Sequence, residues 1–292
     1  MTAVNWKYIV SSAAVIVLGG LLAGVFYQQN FDQGMMFPYL GDQDASFDCN
    51  TIDREKLLVI LAVGQSIASN FGDTPYKPVG NVSSFYNGRC FTGADPLPGA
   101  DGTGGSIWSR LGDKLIAKGY AKNVLLVAIG AGGSSVSEWV PEGKYYPRLL
   151  DATRSLQYAG FKPGLIVWQQ GSRDVDMDAQ QYSTHLRGFI YALPFLGIPL
   201  GQSTRMLVAT HTRCGGPAFP NLQAAQQSVI DPSKYIFAGP NMDTLSDELK
   251  YDRCHYNDLG LKVASDLWLR AITAVEAESS WLPLTMGTRK IQ

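Results

Sequence analysis

Short continuous apolar runs alternate along this chain with longer amphipathic ones. Residues 57–63, 124–129, 165–169 and 206–210 are uninterrupted and rich in β-branched side chains, the pattern of strands buried on both faces. A fifth, less regular run covers 235–238. Between and after them, apolar residues recur at helical spacing over about 106–118, 148–159, 178–193, 221–230 and 258–275. This alternation predicts an α/β fold, with a mostly parallel sheet covered by helices on both faces. In such sheets ligands bind outside the carboxyl ends of the strands, so the loops that follow each strand are where chemistry is expected.

The first part of the chain breaks the pattern. Residues 9–26 carry no charge, which is about the length that spans a bilayer core. Lys7 precedes the run, while Asp32, Asp42, Asp44 and Asp48 follow it, so the positive-inside rule places the N-terminus in the cytoplasm and the rest outside. A secretory signal shares this charge pattern, but no small-residue cleavage site follows the run. The expected organisation is a single-pass membrane anchor over 1–27, a linker over 28–50, an extracytoplasmic domain (periplasmic or extracellular) over 51–276 and a tail over 277–292.

Composition narrows the function. Hydrophobic residues make up 46% and charged residues 17%, as in a globular protein with a sizeable core. The formal net charge is −1 and no Lys/Arg cluster occurs, which argues against nucleic acid as a partner. The cysteines Cys49, Cys90, Cys214 and Cys254 form no Cys-x-x-Cys pair. No metal or other cofactor is expected, and an oxidising compartment suggests two disulfides instead.

The strand-following loops carry the chemistry. After the first strand stands Gly64-Gln65-Ser66, which presents a hydroxyl at the sheet edge with its own N–H beside it. Alone, such a serine is ordinarily a helix N-cap. After the second comes Gly130-Ala131-Gly132-Gly133-Ser134-Ser135 with Trp139, glycines that allow a peptide N–H to face a site. It lacks the Gly-Lys-Ser/Thr ending of a phosphate loop. After the third comes Trp168-Gln169-Gln170-Gly171-Ser172-Arg173-Asp174, where Gln170 offers an amide donor. Near the C-terminus, Asp252-Arg253-Cys254-His255 places an acid and a base on one short loop. Of the other histidines, His185 falls in a helical pattern, and His211, at the end of the fourth strand, is the rival base.

These four blocks, in this order, resemble the SGNH hydrolase superfamily, most closely its sialate O-acetylesterase-like carbohydrate esterases. The matching residues are Gly64-Gln65-Ser66, Gly132-Gly133-Ser134 with Trp139, Trp168-x-Gln170-Gly171 and Asp252-x-x-His255. The resemblance spans roughly 57–272 and implies a three-layer α/β/α flavodoxin-like fold. It also implies a serine esterase that removes acetyl or other small acyl groups from an acetylated glycan, with Ser66 as nucleophile, His255 as base and Asp252 as orienting acid. The oxyanion hole would draw on Ser66, Gly132, Gly133 and Gln170, and the sugar would meet Gln65, Trp139, Trp168 and Arg173. One departure is that the family's Glu after Trp-x-Gln-Gly is Ser172 here. A glycan O-acetyltransferase would use the same triad, and a non-catalytic glycan-binding envelope protein is the reading the missing Glu favours. In this fold the loops bearing Cys214 and Cys254 both emerge at the carboxyl edge of the sheet, so the expected disulfides are Cys214–Cys254 and Cys49–Cys90.

Overall fold

The structure, a computed structural model, describes residues 38–278. Its seven strands are β1 (Leu57–Gly64), β2 (Val82–Tyr86), β3 (Arg89–Thr92), β4 (Asn123–Ala128), β5 (Leu165–Gln169), β6 (Arg205–Thr210) and β7 (Ile236–Asn241). They form one sheet in the order β3-β2-β4-β1-β5-β6-β7, parallel throughout except for the β2–β3 pair. Five α-helices accompany it: α1 (Ile107–Ala117), α2 (Tyr146–Tyr158), α3 (Ala179–Ala192), α4 (Pro220–Gln227) and α5 (Asp258–Glu278).

Alternation along the buried strands sends side chains into two separate cores. Val59, Leu61 and Val63 of β1 pack in one layer with residues of α2, α3 and α4. Ile60 and Ala62 pack in the other with Ile107 and Leu111 of α1 and with Trp268 and Ile272 of α5. The three-layer arrangement follows, and each fully buried aliphatic side chain contributes about 1.5–3 kcal/mol to it. Local signals set the helix starts. The Ser106 side chain accepts from the N–H of Ser109, Asp178 caps the start of α3, and Pro147 stands in the first turn of α2.

The β2–β3 hairpin at the sheet edge has no counterpart among the expected strands. Its turn is Asn87-Gly88, both with positive φ, the pair that a two-residue hairpin turn prefers. Residues 38–50 were expected in the linker, but they lie along the domain. Pro38 bridges to Asp101, Phe47 bridges to Cys90, and a Cys49–Cys90 disulfide fixes the segment to β3. A second disulfide joins Cys214 to Cys254. Among the described residues no helix is long and apolar enough to cross a membrane, and the expected anchor at 9–26 lies outside them.

Candidate active site

At the carboxyl edge of the sheet β1 lies between β4 and β5, so the loops after these three strands meet there. Gly64 ends β1 with φ +148°, and a Cβ at that position would fall 2.1 Å from the carbonyl oxygen of Gln169. Only glycine allows the chain to leave the strand so close to β5. The next turn, a 3₁₀ helix over Ser66–Ala68, raises the Ser66 hydroxyl above the sheet.

The loop before α5 comes to meet it. His255 Nε2 lies 2.8 Å from Ser66 Oγ, and His255 Nδ1 lies 2.6 Å from Asp252 Oδ2. The other carboxylate oxygen, Asp252 Oδ1, accepts from the N–H groups of Cys254 (2.9 Å) and His255 (2.6 Å), which folds the loop around its own acid. Burial works against ionisation of Asp252, but the bonds from the His255 ring and the two N–H groups outweigh it. The carboxyl is therefore held below its ordinary range. Phe71 and Tyr251 flank the imidazole, with ring centroids 5.2 and 6.1 Å away, and Tyr251 Oη donates to the Phe71 carbonyl. Neither aromatic ring stands inside a recognisable motif, so sequence reasoning passed over both. Among the described residues no cluster of His, Cys, Asp or Glu is arranged to hold a metal ion.

Several expected contacts turn out to be internal. Gln170 is fully buried, and its amide nitrogen donates to Ser134 O (3.1 Å) and Asp174 Oδ2 (2.6 Å), while its Oε1 accepts from the Tyr182 hydroxyl. Both of its N–H bonds are engaged, so it has none left for an oxyanion. The Gly132 N–H donates to Asp101 Oδ2, and Arg148 clamps the other oxygen of that buried carboxylate. By contrast, the N–H groups of Ser66 and Gly133 have no hydrogen-bond partner among the described residues. Trp139 and Trp168 are fully buried core side chains, with indole N–H groups turned to Ser134 Oγ and the Tyr182 hydroxyl, so neither forms a wall for a ligand. Gln65 is also buried. Its amide donates to Ser172 Oγ and accepts from the N–H groups of Gly171 and Arg173, which makes it a brace between the two loops. Of the four expected sugar contacts only Arg173 is exposed.

His211 is 1% exposed and makes no bond to Ser66. Burial pushes its imidazole down to about 4, against the pull of Asp243, while Lys250 and His255 add to the depression. The unfolded chain therefore takes up a proton between about pH 6.5 and 4 that the fold refuses. Stability should be fully present above that window and fall as pH drops through it. Urea midpoints measured across the window should show this slope in the parent and a flatter one in His211→Gln; equal slopes would contradict the assignment.

Cys254 sits between Asp252 and His255, so the Cys214–Cys254 disulfide restrains the loop that carries both. Reduction should lower kcat before the domain melts. Activity and near-ultraviolet circular dichroism followed against thiol concentration separate the two events, and simultaneous loss would show that the bridge only stabilises the fold.

With the geometry in place, three comparisons add to it. The family model described as SASA, carbohydrate esterase, sialic acid-specific acetylesterase, matches residues 104–268, more than half of the chain. No curated protein matches. Among solved structures, a protein from Arabidopsis thaliana aligns over 77% of this chain and 98% of its own at 18% identity, with a TM-score of 0.61. NanS aligns over 78% of this chain and 99% of its own at 17% identity, with a TM-score of 0.53. A putative GDSL-like lipase from Parabacteroides merdae aligns over 76% and 98% at 14% identity, with a TM-score of 0.51. At these identities the likeness is one of fold.

Proposed function

The chain belongs to the SASA family of carbohydrate esterases, the sialic acid-specific acetylesterases, and from that premise we propose that it hydrolyses O-acetyl groups on extracellular or cell-surface glycans through an acetyl-serine intermediate. The observation that carries this reading is the unbroken chain of hydrogen bonds from Asp252 through His255 to Ser66.

In this reading Ser66 Oγ attacks the acetyl carbonyl while His255 Nε2 takes its proton. Asp252 holds the Nδ1–H and stabilises the imidazolium that forms. Negative charge developing on the carbonyl oxygen is met by the N–H groups of Ser66 and Gly133, the two donors left unengaged. Collapse breaks the ester C–O bond, and His255 returns the proton to the departing sugar oxygen. Water activated by the same imidazole then cleaves the acetyl-serine. Exposed Tyr251 and Arg173 are the side chains we assign to the sugar. The uncharged 9–26 segment and the two disulfides support a membrane-anchored protein whose catalytic domain faces an oxidising compartment.

The test is to mix enzyme with an acetylated sugar, quench early and map peptides by mass spectrometry. One acetyl group on the Ser66 peptide is expected, and acetyl on another residue would overturn the mechanism. Acetyl transfer to an added sugar in preference to water would make the protein a transferase. Tyr251→Ala should raise KM for an acetylated sugar several-fold and leave hydrolysis of an aryl acetate nearly unchanged. An equal loss on both substrates would place Tyr251 with the histidine and away from the sugar.

A further inference from the structure

Several buried polar atoms have no hydrogen-bond partner among the described residues. They are Gln169 Nε2, both ring nitrogens of His211 and the Tyr256 hydroxyl. All three side chains are at most 2% exposed. An unpaired buried polar group is costly, so a cluster of them calls for a shared partner.

Their places in the fold point to one region. Gln169 ends β5 and points into the core layer of α1 and α5, since its Oε1 accepts from Trp268 Nε1 at 2.7 Å. Leu207 and Ala209 of β6 enter the same layer, and His211 follows two residues later. Trp168 pairs with Val208, so the register sets Gln169 opposite Ala209, and His211 stands two residues further on, just past the end of β6. Tyr256, two residues before α5, packs in this layer. Asp243 links the group, because it stands 3.8 Å from His211 Nδ1 and its charge also acts on the Tyr256 hydroxyl.

The backbone of His211 and of Tyr256 and the side chain of Gln169 are each held in place. The Gln226 amide grips the N–H and carbonyl of His211, each at 3.0 Å. The Tyr256 carbonyl accepts from the Asp73 N–H, and Trp268 fixes which end of the Gln169 amide is free. Their shared chemistry selects the ligand. Gln169 offers an N–H donor, which disfavours a cation. The neighbouring Asp243 carboxylate, already held by Thr212, Arg213 and Gln223, disfavours an anion. A hydroxyl and an imidazole then need a neutral molecule that both donates and accepts. We propose that the interior at the carboxyl ends of β5 and β6 is a site for ordered water, bound by the Gln169 amide, the His211 ring and the Tyr256 hydroxyl.

This site rests on burial and pairing, so it stands or falls apart from the esterase reading. A crystal structure of the full chain at a resolution that shows bound water tests it directly. Water within hydrogen-bonding distance of two or more of these side chains is the expected result, and a dry contact overturns the proposal. A second measurement reads the sign of a substitution. If water bridges the group, Tyr256→Phe removes one of its partners and lowers the melting temperature by about 2–4 °C. If the hydroxyl stands alone, the same change relieves an unpaired group and raises it, and that rise would equally reject the site.

Discussion

Ser66→Ala is expected to lower kcat for an aryl acetate by roughly four to six orders of magnitude, as is His255→Ala. The expectation comes from the single chain of bonds at 2.8 and 2.6 Å that makes hydroxyl, imidazole and carboxylate one unit. Removing Ser66 leaves nothing for the imidazole to deprotonate, and removing His255 leaves a hydroxyl with no base in reach. The double variant should thus be hardly worse than either single one. Asp252→Asn should keep a fraction of activity, because an amide can still accept from the loop N–H groups while no longer stabilising the imidazolium. A fluorophosphonate probe gives an independent readout: it should label the parent at Ser66 and fail on Ser66→Ala. Near-parental turnover by Ser66→Ala would remove the nucleophile from the mechanism.

The second large effect is expected on stability. Asp174 is buried and accepts from the Val136 N–H at 2.8 Å and from the Gln170 amide at 2.6 Å. In Asp174→Ala both donors lose their partner inside the protein, at about 1–3 kcal/mol each. A loss of roughly 2–5 kcal/mol follows, and at 2–4 °C per kcal/mol the melting temperature should fall by about 10 °C. Asp174→Asn, which keeps one acceptor oxygen, should fall less. Gln170→Ala should likewise act mainly on stability, since its amide is engaged within the fold. Unchanged melting together with a hundredfold loss of kcat in Gln170→Ala would return that side chain to the oxyanion hole.

Whether a feature was legible in the sequence depended on how local its cause is. Strand β5 declared itself because five consecutive residues are buried on both faces, and Asp252 and His255 did so because one short loop holds both. The β2 and β3 strands, Val82–Tyr86 and Arg89–Thr92, are short and mix serine, arginine and threonine with apolar residues. Hydrophobic runs pass over such an edge hairpin, although the Asn87-Gly88 turn between them was a usable signal. Gln170, Trp139 and Trp168 were misread for a different reason. Each was correctly placed at a strand end or loop near the site, but whether a side chain faces a ligand depends on what meets it in space. Ser134, Asp174 and Tyr182 claim these groups, and nothing in the local spacing announces that. Trp168 and Tyr182, for example, lie on different elements and come together only when α3 packs on β5.

The two disulfides divide the chain in a way that bears on its resistance to proteolysis. Cys49–Cys90 and Cys214–Cys254 close covalent rings with sequence separations of 41 and 40 residues. Ser66 lies inside the first ring, Asp252 lies inside the second, and His255 follows its closing cysteine directly. A single backbone cut within either ring, such as in the exposed stretch around Val79, leaves the fragments tethered to one another. Ser66 and the Asp252–His255 loop are each tied to a closed circuit of chain, so a nicked molecule keeps its parts at high effective concentration and can stay assembled. Such a molecule would run as one band on a non-reducing gel and as two once reduced.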